Sequence, residues 1–170
     1  PGFSESLKGD HNAGTAQVFG ELAYGFNFGA TRFEPFANLT YVNLHTDGFR
    51  ETGDAAALTG GSSSSDVTFT TLGLRGSTTF DLNGASVTAK GMVGWRHAFD
   101  DVTPTSTHRF VGGGNAFTVA GVPVARDAAV IEAGLDFALT PSSVIGVTYS
   151  GQFGSGIVDQ SFKANFSAKF

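Results

Sequence analysis

Apolar and polar side chains alternate along seven stretches of this sequence, and a period of two residues is typical of β-strands rather than of helices. The alternation is clearest in the last stretch, where Val158, Phe162 and Phe166 fall on one face and Asp159 and Lys163 on the other. We therefore predict an all-β fold. The seven predicted strands cover residues 14–28, 31–44, 67–80, 85–99, 126–139, 143–153 and 158–170.

The connections between these strands constrain the topology. Residues 28–31, 81–84 and 140–142 are short and carry turn-forming residues such as Gly, Asn, Asp, Pro and Ser. Because a tight turn joins antiparallel neighbours, we predict an antiparallel up-and-down meander. The longer connections, 45–65 and 100–125, are predicted to be loops, mostly at the opposite edge of the sheet.

No composition shift marks an internal boundary, since the Gly/Ser-rich residues 60–65 are better explained as a loop tip than as a linker. We expect residues 1–170 to form one domain. The chain starts at Pro1 without a basic segment followed by an apolar one, so no targeting signal is visible. We expect it to be a mature portion or a fragment of a longer protein.

Composition excludes several classes of protein. Charged residues make up only 15% of the chain, 17 residues are phenylalanine, none is cysteine, and the formal net charge is −5. The phenylalanines argue against intrinsic disorder, and an acidic balance without a Lys/Arg run argues against a nucleic-acid partner. A chain without cysteine forms no disulfide and no cysteine-ligated metal site. The sequence contains no run of 18 apolar residues, so it predicts no membrane-spanning helix.

Alternation does not say which face of the sheet meets water, so two architectures are open. In a soluble β-sandwich the apolar faces pack together, and the loops 45–65 and 100–125 would carry recognition in a binding module. In a transmembrane β-barrel the apolar faces meet lipid and the polar faces line a wet lumen.

Three features favour the membrane barrel. The predicted strands run about 11–15 residues, longer than those of globular sheets and enough for a tilted bilayer span. The polar faces mix small residues with both signs of charge, whereas a solvated surface usually carries denser Lys and Glu. Aromatic residues also cluster near strand ends, as in the girdles of such barrels; these are Phe26, Phe28, Phe80, Phe99 and Phe170.

The sequence carries no catalytic or cofactor motif. Its four histidines show no metal-ligand spacing, and we interpret His97, beside Trp95 and Arg96, as a girdle or wall residue. No Gly-x-Ser-x-Gly elbow follows a strand, and the glycines at 112–114 lack the Lys-Ser/Thr of a phosphate-binding loop. We therefore predict that the chain is not an enzyme and uses no cofactor and no metal.

In a barrel, the charged residues would line the lumen, because Arg or Lys facing lipid at the midplane costs ~2–4 kcal/mol. Glu132 and Asp136 share one strand face, and we predict that they form ion pairs rather than an acid–base pair. The predicted partners are Arg96, Arg126, Lys163 or Lys169. The predicted lumen-lining residues are Glu21, Arg32, Glu34, Arg75, Lys90, Arg96, Glu132, Asp136, Lys163 and Lys169.

The final run, VDQSFKANFSAKF, resembles the terminal strand of bacterial outer-membrane proteins, whose last aromatic residue is the signal read by the barrel-assembly machinery. An ordered series of segments resembles the translocator (β) domain of the type V secretion autotransporters. The segments are GFSESLKGD, TAQVFGELAYGF, FEPFANLTYVNLHTDGF, TFTTLGLRGS, GMVGWRHAF and AGVPVARDAAVIEAGLDFALTPSSVIGVTYSGQFGSGIVDQSFKANFSAKF. Each is weak alone, but the series covers nearly the whole chain.

This resemblance implies a twelve-stranded outer-membrane barrel whose pore is threaded by a helix leading to a secreted passenger. The chain, with its seven strands or eight if residues 3–7 add a short one, would be the C-terminal part of that barrel. About five upstream strands, the linker helix and the passenger would be absent. The implied function is to anchor the passenger at the cell surface and to conduct it across the bacterial outer membrane. The implied partners are outer-membrane lipid, the barrel-assembly machinery and the chain's own passenger.

Seven or eight strands leave two edges that must be closed or paired. The chain could close alone into a small barrel filled by side chains, or a second copy or another chain could supply the missing strands. A barrel that only anchors, such as a small adhesin, is open beside the translocator.

The resemblance assigns lipid-face anchoring and the assembly signal to Phe162, Phe166 and Phe170. Replacing Phe170 by a polar residue should impair outer-membrane insertion, because the terminal aromatic residue is the recognised group. The measurement is the heat-modifiable fraction of the protein in isolated membranes. Unchanged heat-modifiable folding would contradict the assignment.

Overall fold

The computed structural model describes residues 6–53, 55–99 and 101–169. Within these ranges the chain consists of strands, turns and loops, and it includes no helix of the length and apolarity needed to cross a membrane. The strands are β1 (Ala13–Ala23), β2 (Phe26–Phe28), β3 (Thr31–Thr46), β4 (Phe49–Arg50), β5 (Leu58–Gly60), β6 (Ser63–Leu82), β7 (Ala85–Ala98), β8 (Thr105–Phe110), β9 (Phe117–Ala120), β10 (Asp127–Thr140), β11 (Ser143–Gly154) and β12 (Ile157–Ala168).

All seven predicted strands are present, but the first is interrupted. The predicted strand 14–28 is divided into β1 and β2 at Tyr24 and Gly25, and both parts pair with β3. A Cβ at Gly25 would lie 2.5 Å from Arg32 Nη2, so the arginine side chain lies close over this glycine. Glycine inside a strand often marks such irregularities. Of the suggested short strand at 3–7, residues 3–5 lie outside the described residues, and Ser6 and Leu7 are not in a strand.

The prediction of loops at 45–65 and 100–125 is wrong in part. These segments contain β4, β5, β8 and β9, which form a four-stranded antiparallel sheet in the order β4-β5-β8-β9. Strands of two to six residues are too short for alternation to reveal them. The predicted loop tip 60–65 is also partly strand, because β6 begins at Ser63. Serine carries little hydropathy signal, and Ser64 Oγ lies 2.8 Å from His45 Nδ1 of β3.

The long strands form one sheet in the order β1-β3-β6-β7-β10-β11-β12, with β2 beside β3. Long strands that follow each other in sequence are neighbours, which confirms the antiparallel up-and-down meander. The β6–β7 hairpin turns on Asn83 and Gly84, whose positive φ angles of 53° and 87° suit the Asn-Gly pair of a two-residue hairpin. The sheet ends at two edges, since β1 and β12 do not pair with each other in the part of the chain that the structure describes.

The chain divides into two compact units, each assembled from separate segments. The first unit includes the four-stranded sheet, and the second includes most of the long strands. The first comprises Pro1–Val18, Tyr41–Thr68 and Phe99–Val124; the second comprises Phe19–Thr40, Phe69–Ala98 and Ala125–Phe170.

In the second unit, the strand register gathers apolar side chains into rows on one face of the sheet. Rows of paired residues cross the five strands β6, β7, β10, β11 and β12. Two of these rows lie eight residues apart along each strand. Eight residues span about 27 Å along a strand, or roughly 21 Å for a strand tilted by about 40°, close to the ~25 Å apolar band of outer-membrane barrels. One row is Phe80, Val87, Phe137, Ile145 and Phe166, and the other is Leu72, Trp95, Ala129, Phe153 and Val158.

Most of this apolar face is not covered by protein, although Val87 within it is buried. Leu135 is 39% exposed, Val147 49% and Phe166 66%. A β-sandwich would bury this face, so the sandwich alternative is wrong and the membrane-barrel interpretation stands.

Lysine substitutions on opposite faces of β11 test this orientation. Val147→Lys places a charge in the apolar band and should lower the free energy of unfolding by ~2–4 kcal/mol. Ser150→Lys lies on the other face, opposite Glu132. This substitution should change the free energy of unfolding by less than about 1 kcal/mol. The measurement is urea unfolding of the protein inserted in phospholipid vesicles. Equal losses for the two variants would refute the orientation.

Candidate functional site

The opposite face of the same strands carries the charged residues. Cross-strand pairs from β6 to β12 keep one parity, except beyond Ala138, where the β10–β11 register shifts. Alternate residues of each strand therefore share this polar face. Six of the ten predicted lumen-lining residues lie on these strands and share it. They are Arg75, Lys90, Arg96, Glu132, Asp136 and Lys163. That this face meets an aqueous lumen is still a prediction.

Arg75 joins three strands of the second unit. Its guanidinium donates to both carboxylate oxygens of Glu21 on β1, at 2.7 Å each, and to Glu34 Oε1 on β3 at 3.2 Å. Arg32 Nη2 donates to the other oxygen of Glu34 at 3.1 Å. A forked guanidinium matches a carboxylate in geometry as well as in charge. Four predicted residues therefore form one ion-pair network.

Phe36 supports this network from the same face. Its ring centroid lies 3.9 Å from Arg75 Cζ, and the residue is only 8% exposed. The ring occupies the space over Gly73, where a Cβ would lie 2.6 Å from it. The charge pattern of the polar face does not single out Phe36, because this residue is apolar. Its even-numbered position on β3 is shared with Arg32 and Glu34, and this parity could have identified it as a residue of the polar face.

Asp136 forms an ion pair with Lys90 of β7. The predicted ion-pair partners of Asp136 (Arg96, Arg126, Lys163 or Lys169) are therefore wrong. The register places Lys90 opposite Gly134, two residues from Asp136 on β10, which brings the two side chains together diagonally. Arg96 instead donates to Gln152 Oε1 at 2.8 Å. Alternation identifies the face of a residue but not its neighbours on adjacent strands.

The remaining predicted residues are placed without ion-pair partners. Among the described residues, Glu132, Lys163 and Lys169 have no opposite charge within 4.0 Å. Glu132 lies between Met92 and Ser150 in the register. Lys169 follows the end of β12, and its backbone N–H donates to Ser142 O.

A cleft of about 330 Å³ lies on the polar face, and charged side chains form much of its wall. Three cations and two carboxylates share this wall, so the surface carries charges of both signs. The charged lining residues are Arg32, Glu34, Arg75, Lys90 and Glu132. No group of three or more His, Cys, Asp or Glu in the described ranges could hold a metal ion.

A family model described as the autotransporter beta-domain matches residues 1–150. This chain belongs to the autotransporter beta-domain family. It is 35% identical over 167 residues to an extracellular serine protease of Serratia marcescens, and 35% identical over 163 residues to a second protein of that name from the same organism. The matches cover 98% and 96% of this chain but 16% of each relative. The beta-domain described here thus spans about one sixth of the length of these relatives.

At one end of the apolar face of this beta-domain, polar ends of aromatic rings meet hydrogen-bond acceptors. Trp95 Nε1 donates to Asp127 Oδ1 at 3.0 Å, and His97 Nδ1 lies 2.8 Å from the same oxygen. An aromatic ring with a satisfied polar end is typical of the boundary between lipid and water. The assignment of His97 to a girdle stays a prediction.

Two of the three phenylalanines predicted to face lipid lie on the apolar face, and their contact with lipid stays a prediction. Phe162 is 84% exposed and packs against the ring of Tyr149, with 5.1 Å between centroids. Phe166 is opposite Ile145. Phe170 lies outside the described residues.

In the first unit, Asp66 belongs to the start of β6, beyond the apolar band that runs from Leu72 to Phe80 on this strand. Asn43 Nδ2 and Tyr41 OH donate to Asp66 Oδ1 at 2.6 and 2.9 Å. These hydrogen bonds, that of Asn43 first, hold the pKa of Asp66 below its ordinary value. The carboxylate thus ties β3 to β6 in this unit.

Replacing Arg75 tests whether it is the node of the network. Arg75→Gln should lower the free energy of unfolding by about 1–2 kcal/mol. This range is smaller than that for a buried ion pair, because the Arg75 side chain is 39% exposed and solvent screens its charge. Arg32→Gln is the matched control; it removes one pair of a 59% exposed side chain and should cost less than about 0.5 kcal/mol. Urea unfolding in vesicles measures both. An equal cost would mean that Arg75 holds no special position.

Proposed function

We propose that this chain is the C-terminal part of an outer-membrane translocator that anchors a passenger and conducts it across the bacterial outer membrane to the cell surface. The observation that carries the proposal is the separation of the two faces of the sheet. One face is apolar over the height of a membrane, and the other gathers charges of both signs. Membership of the autotransporter beta-domain family supplies the context.

The polar face suits a conduit. Charges facing hydrocarbon would cost ~2–4 kcal/mol for each Arg or Lys at the midplane, so this face requires water. Within it, Arg75 and Lys90 are neutralised by carboxylates. A wet wall with balanced charges gives a passing unfolded chain no large apolar patch to adhere to.

The two open edges support strands beyond those described. In hydrocarbon, each unsatisfied backbone group costs several kcal/mol, and β1 and β12 present such groups along 11 and 12 residues. We propose that the upstream strands of the same protein close the barrel between β1 and β12. The twelve-stranded barrel, the linker helix and the passenger belong to this proposal.

Catalysis is proposed to lie outside this chain. The Serratia marcescens relatives are named extracellular serine proteases, and this chain matches about one sixth of their length. We propose that any activity of the whole protein resides in the passenger. We further propose that the barrel-assembly machinery reads the C-terminal aromatic residue and that outer-membrane lipid covers Phe162 and Phe166.

The proposal is tested on the full-length precursor with an epitope-tagged passenger. Adding leucines to the polar face, as in the double variant Ser150→Leu/Ser161→Leu, should slow surface appearance of the passenger several-fold, because an apolar patch retains unfolded chain. The matched control Ala164→Leu adds the same side chain on the apolar face and should leave the rate unchanged. Pulse-chase labelling with external protease gives the rate, and heat modifiability shows that each barrel has inserted.

If the barrel inserts and the passenger never reaches the surface in the wild-type protein, the translocator proposal fails. The chain then acts as an outer-membrane anchor. The charge pairs of the polar face would in that case only stabilise the barrel.

A further inference from the structure

The four-stranded sheet of the first unit has two faces of different chemistry. On one face, His11, Phe49, His108 and Phe117 follow one another with ring centroids 5.9, 5.6 and 5.9 Å apart. A Cβ at Gly60 would lie 2.6 Å from the Phe49 ring, so this ring lies over the neighbouring strand β5. The aromatic rings therefore occupy one face, and the residues that alternate with them project from the other.

The register places a row of cations on this other face. Arg50 of β4 and Arg109 of β8 are both paired with Thr59, one on each side of it. Paired residues project to the same side of the sheet, and two strand spacings separate the two arginine Cα atoms by about 10 Å. Thr52, two residues after Arg50, is bridged to Lys8, so alternation brings a third cation to the same side. We call this surface, with Lys8, Arg50, Thr59 and Arg109, the basic face.

The three cations of the basic face are exposed and are not neutralised within the part of the chain that the structure describes. None of them has a carboxylate within 4.0 Å there, and Asp10, two residues after Lys8, pairs with none of them. By contrast, Arg75 and Lys90 of the long sheet both bind carboxylates. In a chain with a net charge of −5, unpaired cations gathered on one face indicate a negatively charged partner.

Hydroxyl groups lie beside the cations of the basic face. Thr107 precedes Arg109 by two residues, and its Oγ1 lies 3.3 Å from Thr118 Oγ1 of β9. Thr59 Oγ1, between the two arginines, donates to Phe49 O at 3.1 Å. A guanidinium donates two parallel hydrogen bonds to a phosphate as well as to a carboxylate, but a phosphate has three strong acceptor oxygens and can serve several donors at once. The donors of this face therefore favour phosphate groups.

We propose that the basic face binds the phosphate groups of lipid headgroups at the surface of the membrane that this chain spans. The inference rests on the proposed function, which places the chain in a membrane. Each Lys or Arg near an anionic membrane surface strengthens attachment about fivefold. Three cations on one face therefore hold the four-stranded sheet to the headgroup layer by about a hundredfold, although each contact alone is weak.

The shape of the basic face favours lipid phosphates over free phosphate. Its cations are exposed on three neighbouring segments of an open sheet, so they do not enclose a single ion. A membrane surface offers many phosphates side by side, and a flat row of cations can meet several of them at once. Because the contact is electrostatic and exposed, added salt should weaken it.

The first test counts the anionic lipids that the full-length protein retains. The protein is inserted in vesicles of phosphatidylcholine with a minor share of phosphatidic acid and extracted in neutral detergent, and native mass spectrometry identifies the bound lipids. Arg50→Gln and Arg109→Gln should each lower the retention of phosphatidic acid about fivefold, and the double variant about twentyfold. Arg50→Lys/Arg109→Lys keeps both charges and should stay within about threefold of the wild type.

The matched control is Lys163→Gln, which removes the same charge from the second unit and should leave retention within about twofold of the wild type. Heat modifiability shows that each barrel has inserted. If the arginine variants retain as much phosphatidic acid as the control, the three cations form only a solvated surface, and the proposal is overturned.

The second test separates lipid-borne phosphate from free phosphate. The full-length protein in neutral detergent is titrated with short-chain phosphatidic acid, short-chain phosphatidylcholine and inorganic phosphate, and calorimetry follows binding. Phosphatidic acid should bind in a saturable way that weakens as sodium chloride is added, and phosphatidylcholine should not compete with it. Inorganic phosphate that binds as tightly as phosphatidic acid would identify a free anion as the ligand and overturn the lipid proposal.

The two proposals fail in different ways. A wild-type passenger that never reaches the surface refutes the translocator function, whereas lipid retention is measured on the inserted barrel whatever its passenger does. A passenger that reaches the surface normally, together with lipid retention that does not depend on Arg50 and Arg109, refutes the basic face alone.

Discussion

The transfer of charge into hydrocarbon is so costly that it governs the rest of this structure. One layer of strands separates an apolar side from a polar side, and each strand places every second residue on each side. The exposed row through Phe80 and Phe166 and the ion pairs of Arg75 and Lys90 are two consequences of that separation. The stability of this beta-domain therefore depends less on a buried core than on the solvents that meet its two faces.

Backbone hydrogen bonding imposes the second constraint, and it acts differently in the two units. In the long sheet, the edges β1 and β12 lie along strands that cross hydrocarbon, where unpaired groups must be satisfied. In the small sheet, the open edge of β9 lies in a segment without charge. The edges of the long sheet therefore require further strands that satisfy their backbone groups.

Sequence analysis succeeded where a pattern repeats over a whole strand. Alternation located every long strand and assigned Arg96, Glu132 and Lys163 to one face, because parity depends only on position. It failed where structure depends on a few residues. The strands β4 and β5 were missed because they have two and three residues, and the break at Tyr24 and Gly25 was missed because it spans only two residues.

By itself the sequence determined the all-β class, the antiparallel order and the separation of polar from apolar faces, since these follow from local periodicity and turn chemistry. Only the tertiary structure decided which residues meet across strands. The pairing of Asp136 with Lys90, the position of Phe36 over Gly73 and the open edge of β9 all depend on register. Register arises from the balance of contacts along two strands at once, and no single stretch of sequence contains that balance.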